Sequence, residues 1–146
     1  MGDIKSNLDP FETHSEQDLH DGLAACGLED RIAALGGLRF QVQEGGRNLS
    51  VGERQLLCLA RALLKKSRIL IMDEATSNID HETDRKIQSS IRESFDGCTI
   101  LCIAHRINTI IDYDRILVLD KGEVLESGTP RELLEDDTSS FHKLCK

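Results

Sequence analysis

The chain has 146 residues, with 18 Lys and Arg against 26 Asp and Glu and a formal net charge of −8. That length suits one domain burying roughly 68–70% of its unfolded surface, and the acidity argues against a nucleic-acid surface, which draws affinity from basic patches. No apolar run reaches the ~20 residues of a membrane helix, and with only 3% aromatics and two prolines, collagen-like and Pro-rich readings fall away as well.

The first predicted helix follows the turn at Asp9-Pro10, with Ser15 and Asp18 as a capping pair and Leu19, Leu23 and Cys26 on one face. Gly27 is placed to stop it. Leu38–Gln43, bracketed by two Gly-Gly pairs, reads as extended. Ser50 precedes a run in which Leu56, Leu59, Ala60, Leu63 and Leu64 recur at helical spacing, closed by Lys65-Lys66, cations suited to a helix C-terminus.

Ile69–Met72 has the continuous apolar pattern of a strand buried on both faces. A second helix carries Ile87, Ile91 and Phe95 at four-residue spacing, and Thr99–Ala104 is another strand of the buried type. A short helix over Arg106–Ile111 comes next, then a hairpin of Ile116–Leu119 and Val124–Glu126 turning at Asp120-Lys121-Gly122. Thr129-Pro130-Arg131-Glu132 is a capping box with proline at the first helical position, opening a last helix. Strands alternating with helices predict an α/β fold with a mostly parallel sheet.

Three stretches carry chemistry. Leu49-Ser50-Val51-Gly52-Glu53 stands at a helix start, where unpaired N–H groups and the dipole favour an anion and a glycine permits close approach. A strand ending in Asp73-Glu74 puts two carboxylates at the carboxyl edge of a parallel sheet, where ligands bind. There Asp73 is placed to hold a phosphate-bound Mg²⁺ through water, and Glu74 to orient or deprotonate an attacking water. Ala104-His105 follows a strand at the same kind of edge, so His105 can touch a γ-phosphate or couple nucleotide state to neighbouring loops. Each stretch alone has a plain structural reading: a serine N-cap, a solvated acidic strand end and a loop histidine. The five cysteines are scattered without metal-ligand spacing, which fits a reduced, cytosolic setting.

Taken in order, with Ser77-Asn78-Ile79-Asp80 between the second and third, these stretches resemble the ATP-binding cassette (ABC) ATPase family. The resemblance covers residues 1–146 and implies a P-loop NTPase fold with part of the helical signature subdomain. It makes Leu49, Ser50, Val51, Gly52 and Glu53 the signature motif, acting on nucleotide in trans, and Ile69–Asp73 the Walker B strand. Glu74 becomes the catalytic glutamate, Ser77 and Asp80 part of the D-loop, and His105 the switch histidine. The finer match, carried by Ser6–Phe11, Asn48–Gln55 and Ala104–Ile110, is to the second nucleotide-binding domain of multidrug-resistance-associated (C-subfamily) exporters.

Glu53 departs from the family's usual glutamine and adds a negative charge near a phosphate site; as an acid in the first helical turn it can favour the dipole. The chain contains no Gly-Lys dipeptide, hence no GxxxxGK[ST] phosphate loop, and the family's Q-loop glutamine is also missing. The expectation is therefore a truncated cassette domain. ATP and Mg²⁺ are the implied cofactors, and a partner nucleotide-binding domain and transmembrane domains the implied partners, at the cytosolic face of a membrane. The intact parent is expected to couple ATP hydrolysis to export of organic anions or xenobiotics; the alternative is a non-catalytic module that caps ATP on a partner cassette.

Overall fold

The computed structural model describes residues 2–73, 81–95, 97–103 and 107–145, without the side chains of residues 81–83, 85, 86, 90, 108 and 109. The chain divides into two compact units, Met1–Ile103 and Ala104–Lys146.

The first unit opens with β1 (Gly2–Asp3) and α1 (Ile4–Leu8), then α2 (Glu16–Ala25) and α3 (Glu29–Leu35). The Ser15–Asp18 capping box forms in both directions, and Leu19, Leu23 and Cys26 are fully buried as their spacing predicts. Gly27 follows the C-cap with φ +67°, a left-handed conformation that only glycine adopts without strain. Leu38–Gln43 is not a single extended segment. A 3₁₀ turn occupies Gly37–Arg39, and only Gln41–Val42 forms a strand, β2, antiparallel to β1. Gly36 and Gly37 have φ of +123° and +74°, which turns the chain instead of extending it.

The long helix α4 (Val51–Leu64) buries Leu56, Leu57, Leu59, Ala60 and Leu64 against α1 and α2. It is fastened at its C-terminal end, where His14 Nε2 lies 2.9 Å from the Leu64 carbonyl. His14 is in turn held by Asp9, a buried carboxylate that accepts the His14 backbone N–H at 2.7 Å and the Thr13 hydroxyl at 3.1 Å. Burial pushes the Asp9 carboxyl up, but these hydrogen bonds outweigh it and hold the group at about 2, below its ordinary 3.8. A depressed folded-state value stabilises the fold above the unfolded value and is lost as pH falls through the folded one. Asp9 should therefore contribute fully above about pH 4 and lose its contribution towards pH 2. Urea midpoints measured between pH 5 and 2 should fall more steeply for the parent than for Asp9→Asn.

Strands β3 (Ile69–Asp73) and β4 (Thr99–Ile103) pair in parallel, Ile69 opposite Thr99 through Asp73 opposite Ile103, with α5 (His81–Ser94) between them in sequence. Ile87, Ile91 and Phe95 join Leu70 and Met72 in the main core. The expectation that both strands are buried on both faces fails. Leu70 and Met72 are 8% and 4% exposed, whereas Ile69, Ile71, Leu101 and Ile103 are 64%, 67%, 51% and 53% exposed. One apolar face of the pair is bare, and among the described residues neither outer edge has a strand partner. An all-apolar strand shows that both faces suit burial; it does not show that this chain supplies both covers.

The second unit holds α6 (Ile107–Ile110), the hairpin β5 (Ile116–Asp120) and β6 (Glu123–Gly128), then α7 (Pro130–Glu135) and α8 (Ser140–Leu144). The hairpin turns on Lys121 and Gly122, both with positive φ (+49° and +85°), the two-residue geometry that matches strand twist. The Thr129 capping box opens α7 as expected. The predicted last helix is in fact two, because Ser139 caps a fresh start. Glu126 reaches across to accept the backbone N–H groups of Ser140 and Phe141 at 3.0 and 2.6 Å. Ile116, Leu133 and Phe141 form this unit's own small core. Among the described residues no helix is long and apolar enough to cross a membrane.

Candidate functional site

The start of α4 is built by its own sequence. Ser50 Oγ accepts the Glu53 N–H at 3.1 Å while Glu53 accepts the Ser50 N–H at 2.6 Å, a reciprocal capping box. The Arg54 N–H donates to the Ser50 carbonyl at 3.0 Å. Of the four N–H groups that a helix start leaves open, those of Val51 and Gly52 therefore have no acceptor among the described residues. Ser50 and Val51 are exposed, while Leu49 is buried and anchors the turn from below.

The loop that delivers this turn is tied on both sides. Arg54 donates to the carbonyls of Gly46 and Leu49, each at 3.1 Å. Its stem lies so close to Gly46 that a Cβ there would sit 2.6 Å from Arg54 Cδ, and Gly46 has φ +67°, so a glycine is needed twice over. Asn48 spans the other side, donating to the Gln41 carbonyl at 2.8 Å and accepting from Gln43 N–H at 3.0 Å.

Glu53 does more than cap. Its second oxygen receives Nε of Arg31, from α3, at 2.5 Å. Partial burial would raise this carboxyl, but the Ser50 N–H and the Arg31 guanidinium together hold it below the usual carboxylate range. Glu53 is the first-turn acid expected from the sequence, but its carboxylate reaches back to cap Ser50, and the structure adds the cation that pairs with it. Sequence reading missed Arg31: it lies 22 residues upstream, and no local pattern links it to Glu53.

Asp73 ends β3 exposed, in register with Ile103 at the end of β4. It shares with Val51, Arg54, Leu59, Ile71 and Met72 the lining of a cavity of about 340 Å³ between α4 and β3. The structure thus brings the end of the acidic strand and the start of α4 to one recess. Glu74, Ser77, Asp80 and His105 lie outside the described residues. By sequence, Glu74 follows β3 directly, and His105 stands two positions past β4. Among the described residues no cysteine forms a disulfide, and no group of three His, Cys, Asp or Glu side chains could hold a metal ion.

The profile of the ABC transporter family matches residues 3–77. Human ATP-binding cassette sub-family C member 3 is 57% identical over 134 residues, covering 91% of this chain and 9% of the relative. Multidrug resistance protein mrp-7 of Caenorhabditis elegans is 51% identical over 144 residues, covering 98% of this chain and 9% of that protein. Among solved structures, a bacterial Atm1-family ABC exporter with ATP bound superposes with a TM-score of 0.91 at 35% identity, over 99% of this chain and 25% of the exporter chain. This chain therefore spans about a tenth of the length of the curated relatives it matches. With the signature-like turn at the head of α4, the acidic end of a parallel strand and these matches, the chain belongs to the ABC transporter family.

Proposed function

We propose that this chain is the signature-bearing part of a nucleotide-binding domain in an ABC exporter of the C-subfamily type. In that role its signature turn closes on ATP held by a partner cassette. The observation that carries this reading is the exposed start of α4: Val51 and Gly52 keep open N–H groups beside the Ser50 hydroxyl, on a loop that Arg54 and Asn48 hold rigid. Such a turn fits the terminal phosphates of a nucleotide, because its donors are already aimed and the helix dipole adds to them.

Asp73 fits Mg²⁺ in the limited sense the ion requires, one carboxylate reached through water while phosphate oxygens and water complete the shell. When bound, Mg²⁺ would offset charge on the phosphates. The residues of this chain then have distinct tasks. Ser50, Val51 and Gly52 orient the phosphates, Glu74 orients or deprotonates the attacking water, and His105 contacts the γ-phosphate. Leu49 anchors the signature turn and Glu53 caps it, while Ser77 and Asp80 serve at the D-loop contact with the partner. The parent protein exports organic anions or xenobiotics by way of transmembrane domains, at the cytosolic face of the membrane.

The bare face of β3 and β4 supports a partial domain, with its remaining cover and its Gly-Lys-Ser/Thr phosphate loop supplied from outside these 146 residues. Phosphoryl transfer is mostly positioning and electrostatic stabilisation, and the phosphate loop is the main positioning element. The chain alone should accordingly release no phosphate from MgATP above background. Steady turnover by the purified chain that disappears on Glu74→Gln would overturn this reading, since nucleotide would then be held and cleaved without a partner.

A further inference from the structure

We infer that Arg31 is a positioning residue of the signature turn: its guanidinium neutralises Glu53, so that an anionic nucleotide can approach the start of α4. The inference rests on the proposed role of that turn and adds to it a residue from a separate helix. Glu53 is the third residue of α4, directly after Gly52, so its charge belongs to the same turn as the Val51 and Gly52 N–H groups. A carboxylate there favours the helix dipole but repels phosphate oxygens. The two effects are compatible only if the carboxylate is occupied. Both its oxygens are: one takes the Ser50 N–H at 2.6 Å and the other takes Arg31 Nε at 2.5 Å. The carboxylate is largely covered, at 17% exposure, whereas the arginine is half open at 52%, so the pair presents its cation to solvent. Removing Arg31 would leave the negative charge uncompensated beside the phosphate donors.

Charge compensation and simple bridging of α3 to α4 make opposite predictions. If the pair served only as a tie between helices, Arg31→Gln and Glu53→Gln would weaken nucleotide-dependent association alike, and the double variant would recover nothing. If Arg31 compensates charge, Arg31→Gln weakens association, Glu53→Gln tightens it by freeing the guanidinium, and the double variant regains what Arg31→Gln lost.

The test measures dissociation constants for the full 146-residue chain and a cassette bearing a Gly-Lys-Ser/Thr loop, with MgATP present and absent. Arg31→Gln should weaken the MgATP-dependent part about tenfold at low ionic strength and less than about twofold in 0.5 M salt. Arg31→Lys, which keeps the charge, should recover most of that loss. Equal weakening by the two single variants without rescue, or no effect of Arg31→Gln, overturns the inference while the signature reading stands. Absence of any MgATP dependence in the parent chain overturns both. Unfolding midpoints of the same variants report separately on the tie between the helices.

Discussion

Replacing Ser50 with arginine is expected to weaken MgATP-dependent association with a partner cassette by roughly hundredfold. Two losses combine. The hydroxyl that accepts the Glu53 N–H disappears, and a long side chain covers the neighbouring Val51 and Gly52 N–H groups, which have no acceptor among the described residues. The fold should suffer far less, because an exposed N-cap contributes about 1 kcal/mol. Urea midpoints that move by that small amount, alongside a collapse in association, would separate loss of docking from loss of structure. Association unaffected by Ser50→Arg would mean that the start of α4 does not face the nucleotide.

Leu23→Ala carries the largest expected effect on stability. Leu23 is fully buried in the last turn of α2, in one core with Leu19, Cys26 and the buried face of α4. Deleting a buried leucine to alanine costs about 2–5 kcal/mol, the transfer loss plus the cavity left behind. Domains commonly have only about 5–15 kcal/mol in hand, and the bare face of β3 and β4 withholds part of the burial this chain could gain. The urea midpoint should therefore fall sharply with the slope unchanged. Leu125→Ala, at a side chain 56% exposed on the hairpin, should stay within about 0.5 kcal/mol. A Leu23→Ala variant as stable as its parent would show that α2 and α4 do not share one core.

Local signals in the sequence translated most directly into structure. The capping boxes at Ser15 and Thr129, the turn at Lys121-Gly122 and the apolar faces of α2, α4 and α5 all follow from short-range spacing. Features that depend on distant chain or on glycine torsions did not show themselves. Leu38–Gln43 looks extended by composition, yet Gly36 and Gly37 bend it into a 3₁₀ turn. The run Ile69–Met72 reads as buried on both sides because both faces are apolar, and no pattern within a strand says whether a second layer exists.

The functional turn divides the same way. Ser50 is legible as an N-cap and Glu53 as a first-turn acid, and the structure joins the two into a capping box. Arg31 is not, because its pairing with Glu53 depends on how α3 meets α4. Asp73 could be assigned to a strand end from the apolar run before it, and the structure adds its shared recess with Val51. Roles for Glu74, Ser77, Asp80 and His105 continue to rest on motif order, since those residues lie outside the described structure.

If the start of α4 closes on ATP carried by another cassette, the two proteins should associate only in the presence of nucleotide. Sedimentation velocity on the 146-residue chain mixed with a cassette bearing a Gly-Lys-Ser/Thr loop, run with MgATP and again without nucleotide, measures this association. A faster-sedimenting complex is expected to form with MgATP and to disperse when nucleotide is removed. The same complex in the absence of nucleotide, or two unassociated species with MgATP present, would contradict that closure.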